Sequence, residues 1–175
     1  MRNGVEGLRL SLALALATAA ALAGCGDAAA PDQSGAGDRA KPLRGEVLNV
    51  VDGDTIDVAL EGGETVRVRY IGVNTPESVD PDEPVQCFAH AASRANARLV
   101  DGRTVRLITD RELYDAYDRL LAYVYAPDGR LVNAVLVARG YARTLEFEPN
   151  TAKASLFARL QADAGRAGRG LWGAC

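Results

Sequence analysis

Residues 47–70 hold three β-type runs separated by turns of glycine and aspartate, and this spacing constrains the fold more than any other feature of the chain. Val47, Leu48, Val50 and Val51 precede Asp52-Gly53, and Ile56, Val58 and Leu60 follow it, so an Asp-Gly turn joins two strands as a hairpin. Gly62-Gly63 makes a second turn into Val66, Val68 and Tyr70, which alternate with Arg67 and Arg69; the two arginines therefore share one face of a third strand. Pro76, Pro81 and Pro84 among acidic residues mark 75–84 as a surface loop. Phe88, Ala92, Ala95 and Leu99 recur at helical spacing and stop at Gly102. A fourth strand is predicted over Val105–Thr109 and a fifth over Leu120–Tyr125, the latter ended by Pro127-Asp128-Gly129. Leu131, Val135 and Ala138 predict a second helix closed by Gly140, and Leu156, Leu160 and Ala164 a third running toward Gly168. This order predicts an α+β fold, mainly β, in which five strands either curl into a small barrel or form an open sheet covered by helices.

The 175 residues, 48% hydrophobic with a formal net charge of −3, describe one globular domain with short extras. That charge excludes a protein that coats nucleic acid by phosphate neutralisation alone. His90 is the only histidine, so chemistry needing two imidazoles from one chain is excluded as well, and His90 itself is expected to be solvated on the first helix. Neither a G-x-S-x-G nor a G-x-x-x-x-G-K-[ST] pattern occurs.

Residues 1–24 carry Arg2 and Arg9, then an Ala/Leu-rich run from Leu10 to Leu22, then Ala23 and Gly24, and read as an export signal too short to span a bilayer comfortably. Leu22-Ala23-Gly24-Cys25 resembles the bacterial lipobox, which implies lipidation at Cys25; the alternative is an ordinary secretory signal with an incidental cysteine. Residues 25–43 lack the apolar content for a core and are expected to be a flexible tether, which leaves residues 44–175 as the folded domain. With Cys25 lipidated, Cys87 and Cys175 remain in an oxidising compartment, either as a disulfide, the favoured pairing, or as two free thiols.

Three clusters hold the candidate chemistry: Asp52-Gly53-Asp54-Thr55, the stretch from Arg69 through Asn74-Thr75-Pro76-Glu77, and Tyr114-Asp115-Ala116-Tyr117-Asp118-Arg119. Each alone reads as a turn, a strand end or a polar loop. Together they supply oxygen ligands for a hard cation, a carboxylate base and two guanidinium groups, which suits phosphodiester cleavage without histidine at a solvent-facing site. In order and approximate spacing, Asp52-Gly53-Asp54-Thr55, Arg69, Asn74-Thr75-Pro76-Glu77 and Tyr117-x-Arg119 resemble the staphylococcal nuclease (thermonuclease) family. Leu131-Val132-Asn133, Gly140-Tyr141-Ala142 and Gly170-Leu171-Trp172 are similar as well.

The resemblance implies a five-stranded OB-fold barrel with three helices and Ca²⁺-dependent hydrolysis of DNA and RNA. It makes Asp54, Asn74 and the Thr75 backbone carbonyl metal ligands, Glu77 the group that activates or positions the attacking water, and Arg69 with Arg119 a phosphate clamp. Three departures from the family pattern matter. Asn74 stands where its best-known member has a metal-binding aspartate, and Asp118 where that member has a glycine. Leu145 and Phe147, or in another alignment the neighbouring glutamates, stand in place of the tyrosines that stack on bound nucleotide. The expected protein is a monomeric, lipid-anchored extracytoplasmic nuclease. The alternatives are a non-catalytic OB-fold nucleic-acid-binding lipoprotein and a Ca²⁺-storing or Ca²⁺-sensing lipoprotein, and the second has no use for the two arginines. Trp172 is expected to anchor the C-terminal tail.

Overall fold

The computed structural model describes residues 42–77 and 84–175. Cys25, the export signal and all but the last two residues of the tether lie outside the described residues. Strands β1 (Leu43–Val50), β2 (Thr55–Leu60) and β3 (Thr65–Tyr70) form the expected meander, joined through the two glycine-containing turns. Leu43 already belongs to β1, paired with Leu107. Two residues of extended backbone, β4 (Val73–Asn74), follow β3, then helix α1 (Ala89–Val100), β5 (Thr104–Ile108) and β6 (Leu120–Tyr125). The chain closes with α2 (Val132–Ala138), a two-residue β7 (Arg143–Thr144), α3 (Ala154–Arg166) and one turn of helix, α4 (Leu171–Ala174).

The five-stranded barrel implied by the family resemblance is the arrangement formed, and not the open sheet: β1, β2, β3, β6 and β5 close in that order. All neighbours are antiparallel except β3 and β6, which run parallel with Val68 opposite Leu120 and Tyr70 opposite Ala122. Closure puts one face of each strand inside, so Val47, Ile56, Val58, Val68, Val105, Leu107 and Val124 are buried. Each such side chain contributes about 1.5–3 kcal/mol relative to exposure. An irregularity in β1 between Val47 and Asn49 bends that strand, as closure of a small barrel requires, and leaves Leu48 exposed.

The helices cover what the barrel leaves open. α1 buries Ala89, Ala92, Ala95 and Leu99, one helical face. Its first turn follows Phe88, which sits at a left-handed φ of 72° with its ring stacked 5.5 Å from Tyr141. α2 buries Val132, Leu136 and Val137, and α3 drives Phe157 against the β3–β4 corner. At that corner Gly72 has φ +78°, and a Cβ there would lie 2.6 Å from the Phe157 ring, so no other residue fits without moving it.

The β4–β7 pair leaves no signature in the sequence, because two residues show no alternation and their partner lies far along the chain. The same holds for α4, a single turn that opens at Leu171 after Gly170. Trp172 is half-buried beneath the Arg143 guanidinium, 4.3 Å from the ring centroid, consistent with an anchor for the tail. His90 is exposed.

Cys87 and Cys175 are disulfide-bonded across a sequence separation of 88 residues, so the last residue is tied to the approach to α1. Replacing both by alanine is expected to lower stability by about 2–5 kcal/mol, because the unfolded chain gains the entropy of a long open loop. Denaturant titration of oxidised wild type against the double variant checks this.

Candidate active site

The site begins in the turn between β1 and β2. Asp52 folds the turn back on itself: its Oδ1 accepts the Asp54 amide at 2.9 Å, while the Val51 amide donates to the Thr55 carbonyl at 3.0 Å. Gly53 allows the turn to press on the residues after β4, since a Cβ there would lie 2.6 Å from the Thr75 side chain. This aims Asp54 inward. Its Oδ2 accepts the Thr75 amide at 2.6 Å and the Thr75 hydroxyl at 3.1 Å.

Asp54 is 4% exposed and Thr75 7%, so the heart of the cluster is buried. The reason is steric: the turn and the β4 exit close over the carboxylate from two sides. Burial pushes the Asp54 carboxyl up to about 6, against the opposing pull of Arg69 and the Thr75 hydrogen bonds.

Arg69 lies on the polar face of β3, the face set by its alternation with Val68 and Tyr70. Its Nη1 stands 3.3 Å from Asp54 Oδ1 and donates to the carbonyls of Tyr70 at 3.0 Å and Val73 at 2.8 Å. Nη2 donates to Asn74 Oδ1 at 2.9 Å. The guanidinium therefore ties Asp54 to Asn74 and is fixed before any ligand arrives. Asn74 itself is exposed.

Arg119 is placed by a different device. Asp115 accepts the amides of Tyr117 and Arg119, both at 3.0 Å, and then Arg119 Nε at 2.7 Å through its other oxygen. One carboxylate thus shapes the turn and orients the arginine, and although burial raises its pKa, these bonds and the Arg119 charge lower it further. Between them Asp118 adopts φ +58°, a left-handed conformation that glycine enters without a Cβ clash.

Arg69 and Arg119 line one groove of about 380 Å³, with Tyr117, Leu145 and Phe147 on its walls. These three are 80%, 47% and 67% exposed, an unusual display of large apolar surface beside two cations. Asn150 holds the far wall, exchanging two 2.8 Å hydrogen bonds with the Glu112 backbone. Asp54, Asn74, Thr75 and Glu77 are not lining residues of the groove; Asp54 and Asn74 join it through their contacts with Arg69. Glu77 stands two residues beyond Thr75 and is half-buried, its backbone bonded to Gln86.

Residues 67–174 match the family described as Staphylococcal nuclease homologue. The chain belongs to the staphylococcal nuclease family. The nuclease is 40% identical over 133 residues to Thermonuclease of Staphylococcus intermedius, a match covering 74% of this chain and 78% of that protein. It is 35% identical over 127 residues to Thermonuclease of Staphylococcus hyicus, covering 73% and 74%. Endonuclease YncB of Bacillus subtilis (strain 168) is 43% identical over 103 residues, 58% of this chain and 48% of that protein. A non-catalytic binding module is set aside on this footing.

Several supports of the nuclease site have no role assigned from the sequence. Asn96, fully buried on α1, accepts the Tyr70 hydroxyl at 2.9 Å and donates to the Asp52 carbonyl at 3.1 Å, pinning the turn that carries Asp54. Asn133, also fully buried, accepts the Val124 amide and donates to the Ile71 carbonyl, both at 2.9 Å, locking α2 onto β6 and the end of β3. A polar residue on the apolar face of each helix was the one available hint. The roles of the Thr75 hydroxyl and of Asp115 were likewise not assigned, since both depend on the folded turn.

Arg69 is 12% exposed and faces a buried carboxylate, so its removal bears on stability as well as on chemistry. Without cation, Arg69→Ala is expected to cost about 2–4 kcal/mol, because the buried Asp54 carboxyl loses its ion-pair partner. Arg119→Ala breaks a more exposed pair and is expected to cost about 1 kcal/mol or less. Urea denaturation of both variants in the presence of chelator measures the difference.

Proposed function

We propose that this nuclease hydrolyses phosphodiester bonds of DNA and RNA with Ca²⁺, outside the cytoplasm, held at the membrane by lipid on Cys25. The observation that carries the catalytic reading is the position of Arg69, which lines the groove with Arg119 and at the same time contacts Asp54 and Asn74. A phosphate in the groove meets two guanidinium groups already oriented by carboxylates. Each can fork onto its oxygens and take up the charge that grows in the pentacoordinate transition state.

The donor set fits a hard cation. Asp54, Asn74 and the Thr75 carbonyl offer only oxygen, and the buried Asp54 carboxylate has its charge incompletely matched by Arg69, as its raised pKa indicates. Bound there, Ca²⁺ would supply positive charge to the scissile phosphate. Thr75 holds Asp54 in place through its amide and hydroxyl. Pro76 biases Thr75 to extended backbone at the loop entry. Glu77 accepts the proton of the attacking water or orients that water toward phosphorus. Tyr117, Leu145 and Phe147 offer faces against which nucleotide bases can pack.

Incubation with plasmid, single-stranded DNA and RNA, in Ca²⁺ or in chelator, tests the activity directly. Arg119→Ala and Glu77→Gln are each expected to lower kcat by about 10²-fold or more. Retention of activity within a few-fold in both would remove these residues from the mechanism.

Asn74→Asp adds a charged oxygen donor beside Asp54 and is expected to lower the Ca²⁺ concentration for half-maximal activity, read in parallel by calorimetric titration. Equal or weaker affinity would mean that Asn74 does not face the cation. For the anchor, Cys25→Ser is expected to shift the protein from the membrane fraction to the soluble one or to block signal processing. Unchanged partition with an unmodified N-terminal mass would refute lipidation.

A further inference from the structure

Glu77 presents a mechanical difficulty. It lies three residues beyond the two-residue β4 and outside any helix or strand, yet the role proposed for it demands fixed placement. The structure answers with Gln86. The Glu77 amide donates to Gln86 Oε1 at 3.0 Å, and the Gln86 amide donates to the Glu77 carbonyl at 2.9 Å. These reciprocal bonds use both backbone polar groups of Glu77. They join the two residues across the chain between them as a pair of ladder bonds would, but with a side chain supplying one of the acceptors.

The far end of this clamp is firmly held. Cys87, next in sequence to Gln86, is disulfide-bonded to Cys175 at the end of α4. Phe88 stacks on Tyr141, and the Leu171 amide that opens α4 donates to the Gly140 carbonyl at 2.9 Å, so both anchors converge on one platform. Gln86 is thus the link between a covalently fixed point and the backbone of Glu77. Its amide side chain suits the task, since the carbonyl oxygen accepts the Glu77 N–H without bringing a second negative charge next to the carboxylate.

We propose that Gln86 is a positioning residue for this nuclease: its side chain holds the backbone of Glu77 so that the Glu77 carboxylate meets the attacking water. The proposal rests on the role given to Glu77 above, and its consequences are separable from it. Loss of Gln86 acts through Glu77, so it slows turnover without weakening substrate binding, and it has nothing left to act on once Glu77 has lost its basicity.

The experiment is a double-mutant cycle with Gln86→Met, which keeps length and removes the acceptor, and Glu77→Gln, assayed on single-stranded DNA with Ca²⁺. In the wild-type background Gln86→Met is expected to lower kcat by about 3- to 10-fold, the scale of one hydrogen bond, with KM unchanged. In the Glu77→Gln background the same change is expected to alter kcat by less than about twofold. Hydrogen exchange at the Glu77 amide, followed in the full chain without substrate, is expected to quicken several-fold in Gln86→Met. An equal loss of kcat in both backgrounds, an effect on KM alone, or unchanged exchange at Glu77 would each overturn the role of Gln86. Full activity of Glu77→Gln alone would instead overturn the role of Glu77, and exchange at its amide would still report whether the clamp exists.

Discussion

A carboxylate enclosed by its own backbone organises this site. Asp54 is removed from water, a costly placement for a charge; Arg69 and Thr75 make it tolerable, while the neighbouring Asp52 charge works against it. Thr75 contributes two hydrogen bonds to one oxygen, and Arg69 sits 3.3 Å from the other. The remaining deficit is visible in the carboxyl group's raised pKa. A buried acid that is oriented but incompletely compensated is poised to accept positive charge from outside the chain, which is the physical basis for reading it as a cation ligand.

The barrel determines where that charge meets substrate. Asp54 arrives from the β1–β2 turn, Arg69 from the end of β3, and Arg119 from the residue before β6. β3 and β6 are parallel neighbours, with Arg69 directly opposite Leu121, so the ends that carry the two arginines lie side by side. Neither arginine depends on substrate for its orientation. Each is bonded to an aspartate of its own, Asp54 or Asp115, and the cost of ordering a long side chain is met during folding instead of binding.

Much of this was legible in the sequence because its determinants are local. The Asp-Gly and Gly-Gly turns and the alternation of Val66, Val68 and Tyr70 with Arg67 and Arg69 specify a hairpin and a two-faced strand within a few residues. Barrel closure was a different matter, since it depends on the β3–β6 and β1–β5 pairings, which no local pattern encodes. Burial of Asp54 is hidden from the sequence for a related reason. Asp-Gly-Asp-Thr reads as a turn, and the residue that covers it, Thr75, lies 21 residues on. Asn96, Asn133 and Gln86 act through hydrogen bonds to groups on other segments of the chain, and such bonds leave no periodicity to detect.

Asn74 shows how one departure from the family pattern is absorbed by the rest of the site. Its amide oxygen receives Arg69 Nη2, a bond that an aspartate at this position would also accept and would strengthen with charge. With asparagine, the guanidinium faces a single formal negative charge among its contacts, that of Asp54, and the carbonyls of Tyr70 and Val73 take up its other bonds. The pair is then close to neutral, and an incoming phosphate meets an Arg69 whose charge is offset once. A second carboxylate would favour the cation and oppose the phosphate at the same guanidinium. Asparagine shifts that balance toward the anionic substrate, so metal affinity and phosphate binding are expected to change in opposite directions along this one side chain.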